Sequence, residues 1–165
     1  MAAITDLASA TSVATSDLLV LSQSGADKKV TADKFAIQTA STWTPSLRFG
    51  GADTSLTYTA RYGRYYALGK IVIAFAQIEL SNKGSSTGAA TVIGLPIAAI
   101  NVANFYVPVY LQAYAVTGGF LEGNIAPGAQ IISLYTLASG TRVALTNAEF
   151  TNSSVFQIVA IYEQT

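Results

Sequence analysis

The hydrophobic positions of this chain fall into short runs with a period of two. Ile71, Ile73 and Phe75 alternate with Val72, Ala74, Ala76, Ile78 and Leu80. Successive side chains of a strand point to opposite faces, so the run predicts a long strand that is apolar on both. Such a strand is covered on both faces. One cover is the domain's own second layer; the other is predicted to be a neighbouring subunit. VFQIVAIY, residues Val155 to Tyr162, has the same double-faced character. Phe105, Val107, Val109, Leu111 and Ala113 alternate with Tyr106, Tyr110 and Tyr114, and Leu56, Tyr58, Ala60 and Tyr62 alternate with Thr57, Thr59 and Arg61. The latter pattern predicts a half-buried strand. Shorter runs lie at Leu47–Phe49, Tyr65–Leu68, Ala90–Ile93, Phe120–Ile125, Gln130–Leu137 and Arg142–Leu145, between turns such as Gly69-Lys70, Gly118-Gly119 and Pro127-Gly128. Roughly eight to ten strands are expected from residue 46 onward, in a mainly β, antiparallel domain of sandwich or jelly-roll-like form.

Residues 1–45 read differently. Met1 to Ser16 is rich in Ala, Ser and Thr, with Ile4, Leu7 and Val13 as sparse anchors, too few to build a core. Asp17–Gln23 and Lys28–Val30 predict a small hairpin. Thr31 is placed to cap a short helix from Ala32 to about Thr39. Ser41–Pro45, which carries the sole tryptophan, Trp43, reads as a linker. The expected organisation is an N-terminal arm with a hairpin-plus-short-helix module over 1–45, followed by the β domain over 46–165.

Composition narrows the possibilities. Only 11% of residues are charged and 51% are hydrophobic, against about 25% charged in a typical soluble domain. A surface this poor in charge favours association. Nine basic residues balance nine acidic ones, so no excess of positive charge is on offer to a nucleic acid backbone. No run approaches the ~20 apolar residues of a spanning helix. The chain lacks cysteine and histidine, which removes disulfides, thiolate metal sites and the commonest general base. The N-terminus lacks the basic start and apolar core of a signal peptide, which predicts synthesis and folding in a cytoplasm.

Candidate chemistry is sparse. Asp53, Glu79, Glu122, Glu149 and Glu163 are scattered through the β region, with no motif pairing two of them for glycoside hydrolysis. The expectation is a protein without catalytic residues, cofactor or metal. Lys83-Gly84-Ser85-Ser86-Thr87-Gly88 superficially suggests a phosphate loop, but the order of the motif is wrong and a strand comes after it. A hairpin loop is expected. Tyr58, Tyr62, Tyr65, Tyr66, Tyr106, Tyr110 and Tyr114 suit either a sugar-stacking surface or a place in a subunit interface or the core, and interface or core is the commoner use. Ile71, Ile73, Phe75, Tyr106, Tyr110 and Tyr114 are the predicted interface residues.

A set of short motifs adds a resemblance. Trp43-Thr44-Pro45 with Leu47, Phe49 and Gly50 precedes Gly63-Arg64-Tyr65, Leu68-Gly69-Lys70 and Val72. Leu80, Lys83-Gly84-Ser85-Ser86-Thr87-Gly88 and Gly94-Leu95-Pro96 come next. This series resembles a β-sandwich domain of tailed-bacteriophage virion proteins, found in head fibres, tail fibres and capsid decoration proteins. Ile4-Thr5-Asp6-Leu7, Asp17-Leu18-Leu19-Val20 and Lys29-Val30-Thr31 resemble a leader frequent in such proteins. The resemblance implies a homotrimeric virion protein that decorates or cements the capsid. Its partner would be the major capsid protein or another virion protein, with neither nucleic acid nor membrane involved. It also implies attachment through the leader, with Ile4, Leu7, Leu18, Leu19, Val20, Val30 and Phe35 as attachment residues. The alternative is the receptor-binding tip of a short tail fibre that recognises a host glycan. Residues 97–165 carry no such motif.

Overall fold

The computed structural model describes residues 18–23, 26–31, 40–138 and 140–165. Twelve strands are present among them: β1 (Leu18–Gln23), β2 (Ala26–Thr31), β3 (Ser41–Trp43), β4 (Ser46–Phe49), β5 (Leu56–Leu68), β6 (Ile71–Lys83), β7 (Ala90–Ile93), β8 (Val107–Val116), β9 (Phe120–Ile125), β10 (Ile131–Ala138), β11 (Thr141–Ala144) and β12 (Phe150–Glu163). A 3-10 turn at Asn147–Glu149 precedes β12. The described residues include no α-helix.

The chain divides into two units, Met1–Thr39 and Ala40–Thr165. In the first, β1 and β2 pair antiparallel, from Leu18 opposite Thr31 to Gln23 opposite Ala26. This is the hairpin expected from the sequence. The expected helix after Thr31 lies outside the described residues.

In the second unit hydrogen bonding is continuous. Ten strands run in the order β3-β5-β6-β12-β8-β9-β10-β7-β4, with β11 paired to β10. β3 and β4 stand at opposite ends of this path, yet only Thr44 and Pro45 separate them in sequence. The sheet therefore curls until its ends meet. Side chains join the two ends: the Leu47 amide donates to the Tyr58 hydroxyl at 3.0 Å, and Arg61 Nη1 donates to Ser46 Oγ at 2.7 Å.

The expectation of a mainly β, antiparallel domain holds. A division into the two sheets of a sandwich or jelly roll does not appear among the described residues. Long strands twist, and a sheet of this many strands curls rather than lying flat. One sheet folded on itself leaves the same periodicity in the sequence as two stacked sheets.

The concave face is the core. Val72, Ala74, Ala76, Ile78 and Leu80 of β6 face inward, with Phe156, Ile158, Ala160 and Tyr162 of β12 beside them. Phe49 and Phe150 meet edge to face at 5.1 Å between ring centroids, and Phe150 and Phe156 do so at 6.0 Å. Trp43 belongs to this core. Ser41–Trp43 is a strand rather than part of a linker; the Trp43 indole is buried, and its Nε1 donates to the Phe75 carbonyl at 3.1 Å. Gly63, opposite Trp43 in the ladder, leaves room for the ring: a Cβ there would stand 2.3 Å from Nε1.

Two further differences from the sequence reading concern β5. The strand is continuous from Leu56 to Leu68 where two were expected. Two irregularities, between Thr57 and Tyr58 and between Tyr58 and Ala60, add one residue to each strand near Thr59, so the ladder with β6 keeps the same register on either side. An extra residue in a strand reverses the facing of the residues beyond it. Leu56 and Tyr58 therefore pack against the core, whereas Tyr62 is exposed on the opposite face.

Candidate interaction face

The convex face of β5, β6, β12 and β8 is ordered in rows by the ladder. One row runs Arg64, Phe75, Val159, Tyr110; the next runs Tyr62, Gln77, Gln157, Gln112; a third runs Ala60, Glu79, Val155, Tyr114. On the other side, Tyr66 lies opposite Ile73, and Ile73 opposite Ile161. Phe75 is 42% exposed, Ile161 58% and Tyr110 65%. Apolar bodies thus dominate a broad patch that the described residues of the second unit leave exposed, and a patch of this kind is a candidate interaction surface. An amide row crosses it. Tyr62 donates to Gln77 Oε1 at 3.0 Å, Gln157 Nε2 reaches the same oxygen at 3.4 Å, and Gln112 Nε2 donates to the Tyr114 hydroxyl at 2.9 Å.

The predicted interface residues separate into two groups. Ile71, Ile73, Phe75, Tyr110 and Tyr114 stand on this convex face, with Ile73, Phe75 and Tyr110 within the apolar rows. Tyr106 is exposed just before β8. Of the other tyrosines, Tyr58 and Tyr65 pack against the core, one of the two places expected for them. Of the predicted attachment residues, Leu18, Leu19, Val20 and Val30 belong to the β1–β2 hairpin, with Leu19 opposite Val30. Ile4, Leu7 and Phe35 lie outside the described residues.

Two shallow concavities open on the convex face. One, of about 280 Å³, is lined by Tyr62, Arg64, Tyr66, Phe75, Gln77 and Gln157. The other, of about 500 Å³, lies among Pro108, Tyr110, Phe120, Glu122, Arg142 and Ile161. Beside the second, the Arg142 guanidinium lies 4.1 Å from the Tyr135 ring centroid and pairs with Glu122.

Four of the five carboxylates have local partners. Asp53 lies 3.8 Å from Arg48, Glu163 lies 3.9 Å from Lys70, and Glu122 meets Arg142. Glu149 accepts from the Thr146 amide at 2.7 Å and so caps the 3-10 turn. Glu79 has no hydrogen-bond or ion-pair partner among the described residues. Arg64, on β5, is the one cation of the second unit in the same position. Neither stands out in the sequence, because an unpaired charge has no signature until the ladder shows what surrounds it. The described residues hold no cluster of three metal-ligating side chains, and none of their helices is long and apolar enough to cross a membrane.

The Lys83–Gly88 loop is not the hairpin connection expected: β6 pairs with β5 and β12, whereas β7 pairs with β10 and β4, so the loop crosses between strands that are not neighbours, and hydrogen bonds tie it down. Lys83 Nζ donates to the Asn147 carbonyl at 3.0 Å, the Thr54 amide donates to Ser86 Oγ at 2.9 Å, and the Gly88 amide donates to Asn147 Oδ1 at 3.0 Å. A Cβ on Gly50 would stand 2.3 Å from the Thr87 carbonyl oxygen. The recurring glycines at these two places serve close backbone approach. On the inner side, burial pushes the Tyr162 phenol up to about 12, and its hydroxyl donates to the Ile97 carbonyl at 2.8 Å.

These features define a curled antiparallel β domain with an apolar, tyrosine-bearing convex face. The same fold occurs in the crystal structure of the Dettilon tailspike protein (gp208), with a TM-score of 0.62 at 15% sequence identity. The match takes in 79% of this chain but 24% of the tailspike chain. The likeness is therefore one of fold to part of a longer protein. No family model matches the sequence, and no curated protein matches it.

Proposed function

We propose that this chain is a non-enzymatic structural protein of a tailed-bacteriophage virion. It self-associates, as a trimer, through the convex face of β5, β6, β12 and β8, and it attaches to the virion through its N-terminal segment, decorating and stabilising the capsid. The observation that carries the proposal is the row of Phe75, Val159 and Tyr110 with Ile73 and Ile161 beside it. Burial of such a face stabilises an assembly by about 25 cal/mol per Å². The fold shared with a tailspike and the phage-like motifs around Trp43 and Gly50 support a virion setting. A protein that binds only the assembled shell stabilises it by RT ln(1 + [L]/Kd).

The ladder also supports a role without catalysis. β12 and β8 separate Glu79 on β6 from Glu122 on β9. At ~4.8 Å per strand the two are about 14 Å apart along the sheet, beyond the ~9.5 Å limit for paired glycosidase carboxyls.

A second reading places the chain at the tail, where its surface binds a host glycan. The tailspike likeness favours it, as do the exposed tyrosines around the concavities. Immunogold labelling of intact virions distinguishes the two. Label over the head is the expected result; label confined to the tail overturns decoration in favour of the tail reading, and unlabelled virions overturn both. Native mass measurement checks the trimer.

A further inference from the structure

Eleven charged side chains occur between Ala40 and Thr165. Nine of them find a hydrogen-bond or ion-pair partner among the described residues: Arg48, Asp53, Arg61, Lys70, Lys83, Glu122, Arg142, Glu149 and Glu163. The two that do not are Arg64 and Glu79. They carry opposite charges, and both stand on the convex face. Arg64 is in the row of Phe75, Val159 and Tyr110, and Glu79 is in the row of Val155 and Tyr114. The row of Tyr62 and Gln77 runs between them.

Glu79 is four residues beyond Phe75 on the same strand, so the two charges are roughly 13 Å apart along it at ~3.3 Å per residue. Meeting within one chain would require both side chains to lie flat across the hydrogen-bonded Tyr62 and Gln77 side chains. An apolar face that becomes covered cannot leave a charge unpaired without a heavy cost. A second copy of the same face brings a complementary charge for each.

We infer that Arg64 of one copy forms an ion pair with Glu79 of the next, and that this pair sets the register in which the convex faces meet. The inference rests on the self-association proposed above. A head-to-tail ring makes one such pair at each contact and an isologous dimer makes two, so the pair does not depend on the number of copies. The apolar rows supply attraction without direction, and the charges select one alignment among several.

The test is a charge swap in the full chain, read by sedimentation equilibrium, with circular dichroism as the check on folding. Wild type is expected to self-associate. Arg64→Glu and Glu79→Arg should each weaken association by about 30-fold or more, as for loss of one partner of a covered pair. The double variant R64E/E79R should restore it to within about threefold of wild type. A charge pair that stays in water contributes almost nothing, so reversals without effect overturn the pairing. Loss in both single variants without recovery in the double variant overturns it as well. Either result, with wild type still associated, leaves the apolar interface standing. A wild type that sediments as a monomer overturns the interface itself, and the pairing with it. Should a reversal fail to fold, Arg64→Gln and Glu79→Gln replace it. Each is then expected to lower affinity by about tenfold, and an unchanged affinity overturns the pairing.

Discussion

The two faces of β6 are built from the same strand and obey different rules. Inward, Val72, Ala74, Ala76, Ile78 and Leu80 are aliphatic and mostly compact. Outward, Ile71, Ile73 and Phe75 are apolar and mostly larger, and Gln77 and Glu79 add an amide and a charge. In β12 the sizes are reversed, with Phe156, Ile158, Ala160 and Tyr162 inside and Val155, Gln157, Val159 and Ile161 outside, but an amide again stands on the outer face. The inner face must fill a curled sheet whose walls stand close together, so residue volume decides each position. The outer face has no wall among the described residues of the second unit. Its residues suit the self-association proposed above. Strand alternation records both faces as apolar; the presence of amides and charges is what separates a core from a contact surface.

The largest effect is expected inside. Phe49 is fully buried against Phe150, and Phe49→Ala should lower the unfolding free energy by about 3–5 kcal/mol in a denaturant titration. A loss under about 1 kcal/mol would mean that the inner face is not the core. Gly63→Val is next. It drives a side chain into the Trp43 ring and should cost about 1–3 kcal/mol, with a red-shifted Trp43 emission; an unshifted spectrum would contradict the packing of β3 on β5. On the outer face the order of effects reverses. Phe75→Ser with Tyr110→Ser should change the stability of the isolated chain by no more than about 1 kcal/mol, yet shift its native mass to that of a monomer. Equal damage to stability and mass would erase the distinction between the faces.

The smallest expected effect is at alkaline pH. The folded Tyr162 phenol titrates at about 12, above the ordinary value near 10. Its protonated form is therefore favoured by folding. The contribution is complete below about pH 10 and is lost as pH rises towards 12. Tyr162→Phe should flatten the decline in melting temperature across that window while lowering stability modestly at neutral pH, because the Ile97 carbonyl loses its donor. A decline of the same slope in the variant would place the alkaline sensitivity elsewhere.

Much of this contrast was legible in the sequence, because period-two alternation maps directly onto the faces of a strand. Val72 to Leu80 inside and Tyr110 and Tyr114 outside can be read from the pattern alone. Three things were not legible. The residue added near Thr59 reversed the facing of Leu56 and Tyr58 relative to Tyr62, and an insertion in a ladder has no local composition that marks it. Trp43 between Thr42 and Thr44 looks like a linker residue until Gly63, twenty residues later, makes room for its ring. A single curled sheet reads like two because only the meeting of β3 and β4 tells them apart. For the candidate site, the residue types were visible but their rows were not. Arg64 and Glu79 acquire meaning only from register.

β12 lies between β6 and β8, yet the ribosome makes it after both, and after every other strand of the sheet. Val159, Gln157 and Ile161, which complete the convex rows, come with it. Until β12 is inserted, β6 and β8 have open edges and the adhesive surface exists only in halves. Pairings this distant in sequence close late and slowly. Under the self-association proposed above, order of synthesis would act as a timer: a chain would become competent to join its fellows only once its own fold is closed. On that proposal, topology alone keeps unfinished chains out of the assembly.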